Sequence, residues 1–312
     1  MTGSDVLLTE IPAMERMYLR GLARTAALAA ARRRGTAPTT LPDVAYETRD
    51  VPVDTTRLAA YQALLGLRAA DRLPAGYVHT LAFPLHLALM VRDDFPLPPA
   101  GMVHVANRVT QHRALWREDR LDLRVAAVNL RPHRAGTQLD LVAQVRRAGS
   151  SEVAWEGVST YLARGTDPQT PATSEQVVAL GTTSSDAGGE GERVGWVAPV
   201  PTASWRLAAD TGRRYAQVSG DRNPVHLSAL TARPFGFRRA IAHGMYTAAR
   251  ALADVGPAAG HTFVWTADFA KPVLLPATVS VRVAPEDDGF GYTVWQPGAT
   301  RPYLTGAVTP LV

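Results

Sequence analysis

Residues 215–245 read YAQVSGDRNPVHLSALTARPFGFRRAIAHGM. Gly220-Asp221 and Asn223-Pro224 are turn dipeptides, so a helix ending at Ser219 turns sharply here. Pro224 fixes its own φ and pushes Asn223 out of the helical region. The turn therefore holds a carboxylate, Asp221, and an imidazole, His226, five positions apart. Such a pair can share a water and pass its protons in both directions. Gly244 follows His226 by 18 residues and opens a helix-forming run. With no Cβ, Gly244 lets a carbonyl oxygen approach its N–H, and a helix N-terminus there favours a developing oxyanion. A bare Asp-x-Asn-Pro turn has a plainer reading, with Asp as a helix cap and His on the surface.

The set present here is longer than a bare turn. Tyr215, Gly220, Asp221, Asn223, Pro224 and His226, followed by Ala242-His243-Gly244-Met245, resemble the signature of the MaoC-like (R)-specific enoyl-CoA hydratases, or hydratase 2. The resemblance implies that Asp221 and His226 form the catalytic pair. It assigns the oxyanion-hole N–H to Gly244 and a supporting place to Asn223. His243 and Met245, which flank Gly244, are expected to contact substrate, as are Arg238 and Arg239 just upstream. The implied reaction is reversible syn addition of water to a trans-2-enoyl thioester, giving the (3R)-hydroxyacyl form. The substrate would be an acyl-CoA or acyl carrier protein thioester. No metal or redox cofactor is implied.

Composition sets the bounds. The chain has 312 residues, 46% of them hydrophobic, enough for one large domain or two ordinary ones. No run of about 18 apolar residues occurs, so no stable membrane insertion is expected. The apolar part of residues 17–31 is broken by Arg20 and Arg24 and lacks a cleavage site, so it does not read as a secretory signal. Cysteine is absent, which removes disulfides, thiol catalysis and Cys–zinc sites. The default reading is a cytoplasmic enzyme, with a homodimer compatible. The net charge is +5, and only one of the 33 basic residues is lysine, Lys271. A mild basic excess suits an anionic partner. No nucleic-acid-binding signature is present, and a phosphate-bearing acyl carrier fits. Arg206, Arg213, Arg214, Arg222, Arg233, Arg238 and Arg239 flank the motif; the plain alternative is a solvated surface.

Residues 1–40 form an N-terminal segment with a basic helix over 14–34, in which Arg16, Arg20 and Arg24 recur at i+4. It reads as packing on its own domain, with a membrane surface or a partner as the alternative. Residues 41–164 contain a strand at 46–53, a short helix at Thr56–Gly66 and a buried apolar helix at 76–91 bearing Pro84. Four alternating stretches follow at 102–112, 121–130, 137–147 and 152–163, as a sheet with one covered face requires. Residues 165–192, rich in Gly, Ser, Thr, Asp and Pro, read as a flexible linker. Residues 193–312 repeat the order. A strand near Val194–Val200 precedes a helix at 211–219 capped by Asp210. A long helix spans His243–Val255, and strands follow at 262–271, 278–285, 289–296 and 302–309. Phe269-Ala270-Lys271-Pro272 with Pro276 resembles the strand and turn that follow the central helix in MaoC-like proteins.

The halves align residue by residue. Tyr61–Gly66 matches Tyr215–Gly220, and Leu121–Val125 matches Val279–Val283. Leu67 then falls where Asp221 stands, and Arg72 where His226 stands. The N-terminal copy keeps the scaffold and lacks the acid–base pair. The fold class is α+β. The resemblance implies a double hotdog, two antiparallel sheets each wrapped around a long central helix. A hotdog thioesterase and a non-catalytic acyl-thioester binding protein are the rival readings, since the scaffold alone does not fix activity. His104, His112 and His133 are too scattered in the sequence to suggest a zinc site.

Overall fold

Leu121, Leu123 and Val125 alternate with Asp122 and Arg124, and all three are buried along one strand in the computed structural model of the chain. The structure describes residues 4–11, 13–166 and 196–311. The linker expected over 165–192 lies, from residue 167 onward, outside the described residues.

In the first half, β1 (Ser4–Leu7), α1 (Met14–Arg33), β2 (Val44–Pro52), α2 (Thr55–Leu65) and α3 (Ala75–Met90) precede four strands. These are β3 (Met102–Gln111), β4 (Arg120–His133), β5 (Gly136–Arg147) and β6 (Trp155–Arg164). The second half repeats the pattern with β7 (Ala203–Leu207), α4 (Thr211–Ser219), a single turn α5 (Ala229–Ala232) and α6 (Gly244–Val255). Its strands are β8 (Phe263–Phe269), β9 (Ala277–Glu286), β10 (Gly289–Trp295) and β11 (Leu304–Pro310).

The strand order is β1-β2-β4-β5-β6-β3-β8-β11-β10-β9-β7. Apart from β1, which pairs in parallel with β2, the order mirrors itself about the β3–β8 junction. This is a double hotdog, with α3 and α6 as the two central helices. The two expected sheets join edge to edge. β3 and β8 pair antiparallel from Ala106↔Asp268 to Gln111↔Phe263, so one sheet runs through both halves. The pairing satisfies two edges that would otherwise stand open.

The internal symmetry is also visible in the core. α2 ends on Gly66 and α4 on Gly220, both with left-handed φ, 70° and 79°. Tyr61 of α2 faces Tyr215 of α4, with ring centroids 6.3 Å apart. Edge-on contacts of Tyr61 with Tyr77 at 5.5 Å and of Tyr215 with Tyr246 at 5.6 Å extend the cluster to both central helices. Each such pair contributes about 0.5–1.5 kcal/mol beyond its buried area. The main core therefore spans both halves.

Pro84 sits inside α3, which runs on without a break. A proline there leaves the carbonyl of Thr80 without its helical donor. Arg57 of α2 fills that place at 3.3 Å and also bonds the carbonyls of Val218 at 2.7 Å and Ser219 at 2.9 Å. One guanidinium thus ties the proline-bearing helix of the first half to the end of α4.

Two expectations need correction. The strand expected near Val194–Val200 is absent over the described residues 196–200 and appears instead at Ala203–Leu207. Pro199 and Pro201 lack the N–H a strand ladder needs, so pairing starts after them. Asp210 does not cap α4: its backbone is already helical, with φ −93° and ψ −1°, and its side chain makes no capping bond.

Helix α1 lies outside the mirrored strands and packs on the protein itself. Met14, Met17, Gly21, Arg24 and Leu28 form its buried stripe. Arg24 is buried because its guanidinium donates to the carbonyls of Arg92 at 2.9 Å, of Phe95 at 3.2 Å and of Asp93. Among the described residues, no helix is long and apolar enough to cross a membrane.

Candidate functional site

The turn after α4 is built by its own polar groups. Asn223 N–H donates to Asp221 Oδ1 at 3.1 Å, and Asn223 Oδ1 accepts from Val225 N–H at 3.3 Å. Pro224 opens a single 3₁₀ turn that carries His226. His226 Nδ1 lies 2.9 Å from the Ile241 carbonyl. A carbonyl only accepts, so Nδ1 carries the proton and Nε2 keeps a free lone pair. The His226 backbone packs so closely on α4 that a Cβ on Gly212 would come 2.1 Å from its carbonyl oxygen.

His243 precedes α6 and is its N-cap residue. Its Nε2 donates to the Asp221 backbone carbonyl at 3.0 Å and lies 3.7 Å from Asp221 Oδ2. The rings of His226 and His243 stack with centroids 3.6 Å apart. Asp221, His226 and His243 each offer one ligand-type atom, all within 4.8 Å of one another. That spacing could also hold a cation, but two of the four ring nitrogens already donate to carbonyls. Gly244 is the first residue of α6, where an N–H has no acceptor within the helix. A Cβ at Gly244 would meet the Phe269 ring at 2.9 Å, so any larger residue there would have to displace that ring.

Electrostatics favour one ionic state. Burial alone would raise the Asp221 carboxyl; the His243 and His226 rings, the Tyr18 hydroxyl and the Asn223 N–H outweigh it and hold the carboxyl below the usual range. Burial pushes His226 below its ordinary value and His243 down to about 3. Near neutral pH the site holds a carboxylate and two neutral imidazoles. The Asp221 side chain keeps 21% of its surface exposed, whereas His243 keeps 3%, so the carboxylate is the group a solvent molecule reaches.

These groups line a cavity of about 540 Å³. Its wall comes from both halves and from α1. Asp221, Asn223, His226, His243, Gly244 and Met245 all contribute. Away from them the lining turns apolar, with Met17, Leu22, Phe83, Leu87, Met90 and Met102. Arg238 and Arg239 are exposed and do not line the cavity. Arg239 bonds the Pro276 carbonyl at 3.4 Å, and its charge acts on Tyr303, which does line the cavity. Of the other motif arginines, Arg213 bonds the Leu227 carbonyl at 3.1 Å and Arg222 pairs with Glu15 at 3.4 Å.

The sequence reading missed several lining residues. Tyr18 of α1, His79 of α3, His104 of β3, Tyr161 of β6, Arg164 and Lys271 all reach the cavity. His104 stacks on Tyr161 at 4.7 Å and lies parallel to His79 at 6.1 Å. Burial holds His79 at about 4 and His104 at about 3. Leu67 is partly buried against the core. Arg72 bonds the Gly260 carbonyl and His261 Nδ1, both at 3.1 Å, and is not part of the cavity wall.

With this geometry in view, the comparisons are specific. Residues 189–293 match the family described as MaoC like domain. The 3-hydroxyacyl-thioester dehydratase X of Mycobacterium tuberculosis is 35% identical over 276 residues, spanning 87% of this chain and 91% of that protein. The 3-hydroxybutyryl-CoA dehydratase of Methylorubrum extorquens is 44% identical over 75 residues, 22% of this chain and 46% of that protein. The crystal structure of HtdX of Mycobacterium tuberculosis aligns with a TM-score of 0.71 at 34% identity, covering 86% of this chain and all (100%) of that one.

Proposed function

The chain belongs to the MaoC-like dehydratase family, and from that membership we propose how its cavity adds water to, and removes it from, an acyl thioester. The chain is a hydro-lyase, as its relatives named dehydratases are, and its place is in fatty-acid metabolism. The reading of the site rests on one observation above all: Asp221, His226 and His243 present atoms within 4.8 Å of one another at the wall of a largely apolar cavity.

A water between the Asp221 carboxylate and the free His226 Nε2 is held by two acceptors. It therefore turns a lone pair of its own outward. As its oxygen bonds to C3 of a trans-2-enoyl thioester, His226 takes one of its protons. The pair returns a proton to C2 on the same face, which gives the (3R)-hydroxyacyl product and restores the site. Charge developing on the thioester oxygen meets the Gly244 N–H and the positive end of α6. A single such donor contributes about 2.7–4 kcal/mol. Asp221 stays ionised and stabilises the imidazolium that forms on His226. Dehydration runs the same steps backward. The reading requires no cofactor, because the two side chains activate the water themselves.

The test is hydration of crotonyl-, octenoyl- and dodecenoyl-CoA, followed as loss of enoyl absorbance. Product of (3R) configuration supports the assignment. Inert protein on all three, or thioester cleavage instead of hydration, overturns it.

A further inference from the structure

Helix α1 belongs to neither hotdog, yet its side chain at position 18 touches the reacting carboxylate. Tyr18 Oη donates to Asp221 Oδ1 at 2.5 Å, across 203 positions of sequence. The same oxygen accepts the Asn223 N–H at 3.1 Å. Oδ1 is therefore fully engaged. Among the described residues Oδ2 accepts no hydrogen bond, and His243 Nε2, 3.7 Å from it, has its proton committed to the Asp221 carbonyl.

We propose that Tyr18 is a positioning residue for the hydration reaction: its phenol locks the Asp221 carboxylate so that Oδ2 is the oxygen presented to the water. This rests on the function proposed above.

Three observations support it. First, α1 does not need the hydroxyl to dock. Arg24 bonds three carbonyls, Arg32 bonds the Pro96 carbonyl at 3.0 Å, and Thr25 accepts the Ala100 N–H at 3.0 Å. Second, burial and the Asp221 charge raise the Tyr18 phenol far above its ordinary value, so it remains a donor at any working pH. Third, the other groups around Asp221 do not replace it. His79 from α3 and His104 from β3 feel its charge, and burial keeps both neutral near pH 7. Tyr161 from β6 and Tyr215 from α4 also feel it and are held protonated by burial. His226 and His243 complete the ring of titratable neighbours. Among the described residues, Tyr18 is the side chain that hydrogen-bonds the carboxylate.

The sign of the effect follows. A donor to the ionised carboxylate favours the charged form. Removing it makes the Asp221–His226 pair more basic, whichever member takes the first proton, so the apparent acid limb moves to higher pH. Loss of a hydrogen bond to a charged group corresponds to about tenfold or more in rate when the bond is used in the transition state.

The experiment uses the full chain and trans-2-enoyl-CoA across a pH series. Wild type is measured first: if it does not hydrate the thioester, the proposed function fails. If wild type is active, Tyr18→Phe should lower kcat by about tenfold or more with KM within about twofold. The acid limb of kcat/KM should rise, with the melting temperature little changed. Added to Asp221→Asn, it should cause no further loss. Should Tyr18→Phe fold poorly, fluorotyrosine at position 18 keeps the shape and strengthens the donor, and the acid limb should then fall. An active wild type with an unmoved pH profile in the folded variant overturns this inference alone.

Discussion

The imidazoles of His226 and His243 stack at 3.6 Å between centroids, and each donates one ring N–H to a backbone carbonyl, His226 to Ile241 and His243 to Asp221. Stacked this closely, the two rings cannot both carry charge at low cost, and burial lowers both. The arrangement fixes the tautomer of His226 and aims its lone pair into the cavity. Asp221→Asn and His226→Gln should each lower kcat by at least about 100-fold, within the range for losing an acid–base group. Melting temperatures should stay near wild type. Near-normal turnover in either variant sinks the mechanism.

The buried histidines also set an acid limit on stability. His79, His86 and His104 form a cluster, and burial lowers all three. An unfolded histidine titrates near about 6.5. Above that pH neither state binds the proton, and these groups add no pH dependence. Below it the unfolded chain takes up protons that the folded chain refuses, so stability falls with pH by up to about 1.4 kcal/mol per unit per histidine. For His79 the loss continues down to about 4. His86 is the sharpest probe, since it is fully buried with neither ring nitrogen partnered. His86→Leu, of similar volume, should raise the melting temperature at about pH 5 more than at pH 7. An equal shift at both values would show that His86 does not contribute to the acid slope.

Most of the fold and the Asp221–His226 pair are legible in the sequence because they are local. Alternation in residues 120–147 and the Gly-Asp and Asn-Pro turn act over a few residues, and tertiary contacts reinforce them. What the sequence conceals is made at long range. Tyr18 meets Asp221 only after α1 packs against the turn that follows α4, and Arg57 reaches Val218 and Ser219 from the opposite half. A trace of the Tyr18 contact was present. Tyr18 is four positions after Met14 and three before Gly21, so it borders the stripe that α1 buries. His79 and His86 interrupt the most apolar helix of the chain at a spacing that puts them on one face. Only the folded sheet shows that His79 reaches the cavity while His86 does not line it.

The first half should carry no chemistry at the positions aligned with Asp221 and His226. Arg72 is spent on Gly260 and His261, away from the cavity. Arg72→Ala should leave kcat within a few-fold of wild type while lowering stability by about 1–3 kcal/mol, the cost of leaving a carbonyl without its donor. A collapse of turnover in a well-folded Arg72→Ala protein would place the first half in the reaction.

Gly212 should be irreplaceable for a reason unrelated to turn formation. A methyl group there overlaps the His226 carbonyl oxygen at 2.1 Å, and both sides of the clash are backbone-bound. Gly212→Ala should therefore displace the 3₁₀ turn that carries His226. We expect a cost of about 1–3 kcal/mol, as for overpacking elsewhere, together with a loss of kcat. An unchanged melting temperature and full activity would mean that the turn and α4 are farther apart than described.

The cations near the cavity differ in how they meet its wall. Lys271 lines the cavity and Arg239 acts on Tyr303 beside it, whereas Arg238 is exposed and outside the wall. A CoA thioester carries phosphates that must stay outside an apolar cavity while the acyl chain enters. Positive charge at the mouth then binds ground state and transition state alike. Lys271→Ala with Arg239→Ala should raise KM for an enoyl-CoA several-fold with little change in kcat. Arg238→Ala alone should do much less. The effect should shrink as salt rises, because charges at an open rim are screened over about 10 Å at 0.1 M. Repeating the measurement with an acyl carrier protein thioester distinguishes the carriers, since an acidic protein surface spans more of the rim and Arg238 would then matter as well. A KM for both thioesters unchanged at low ionic strength would return all three residues to the solvated surface.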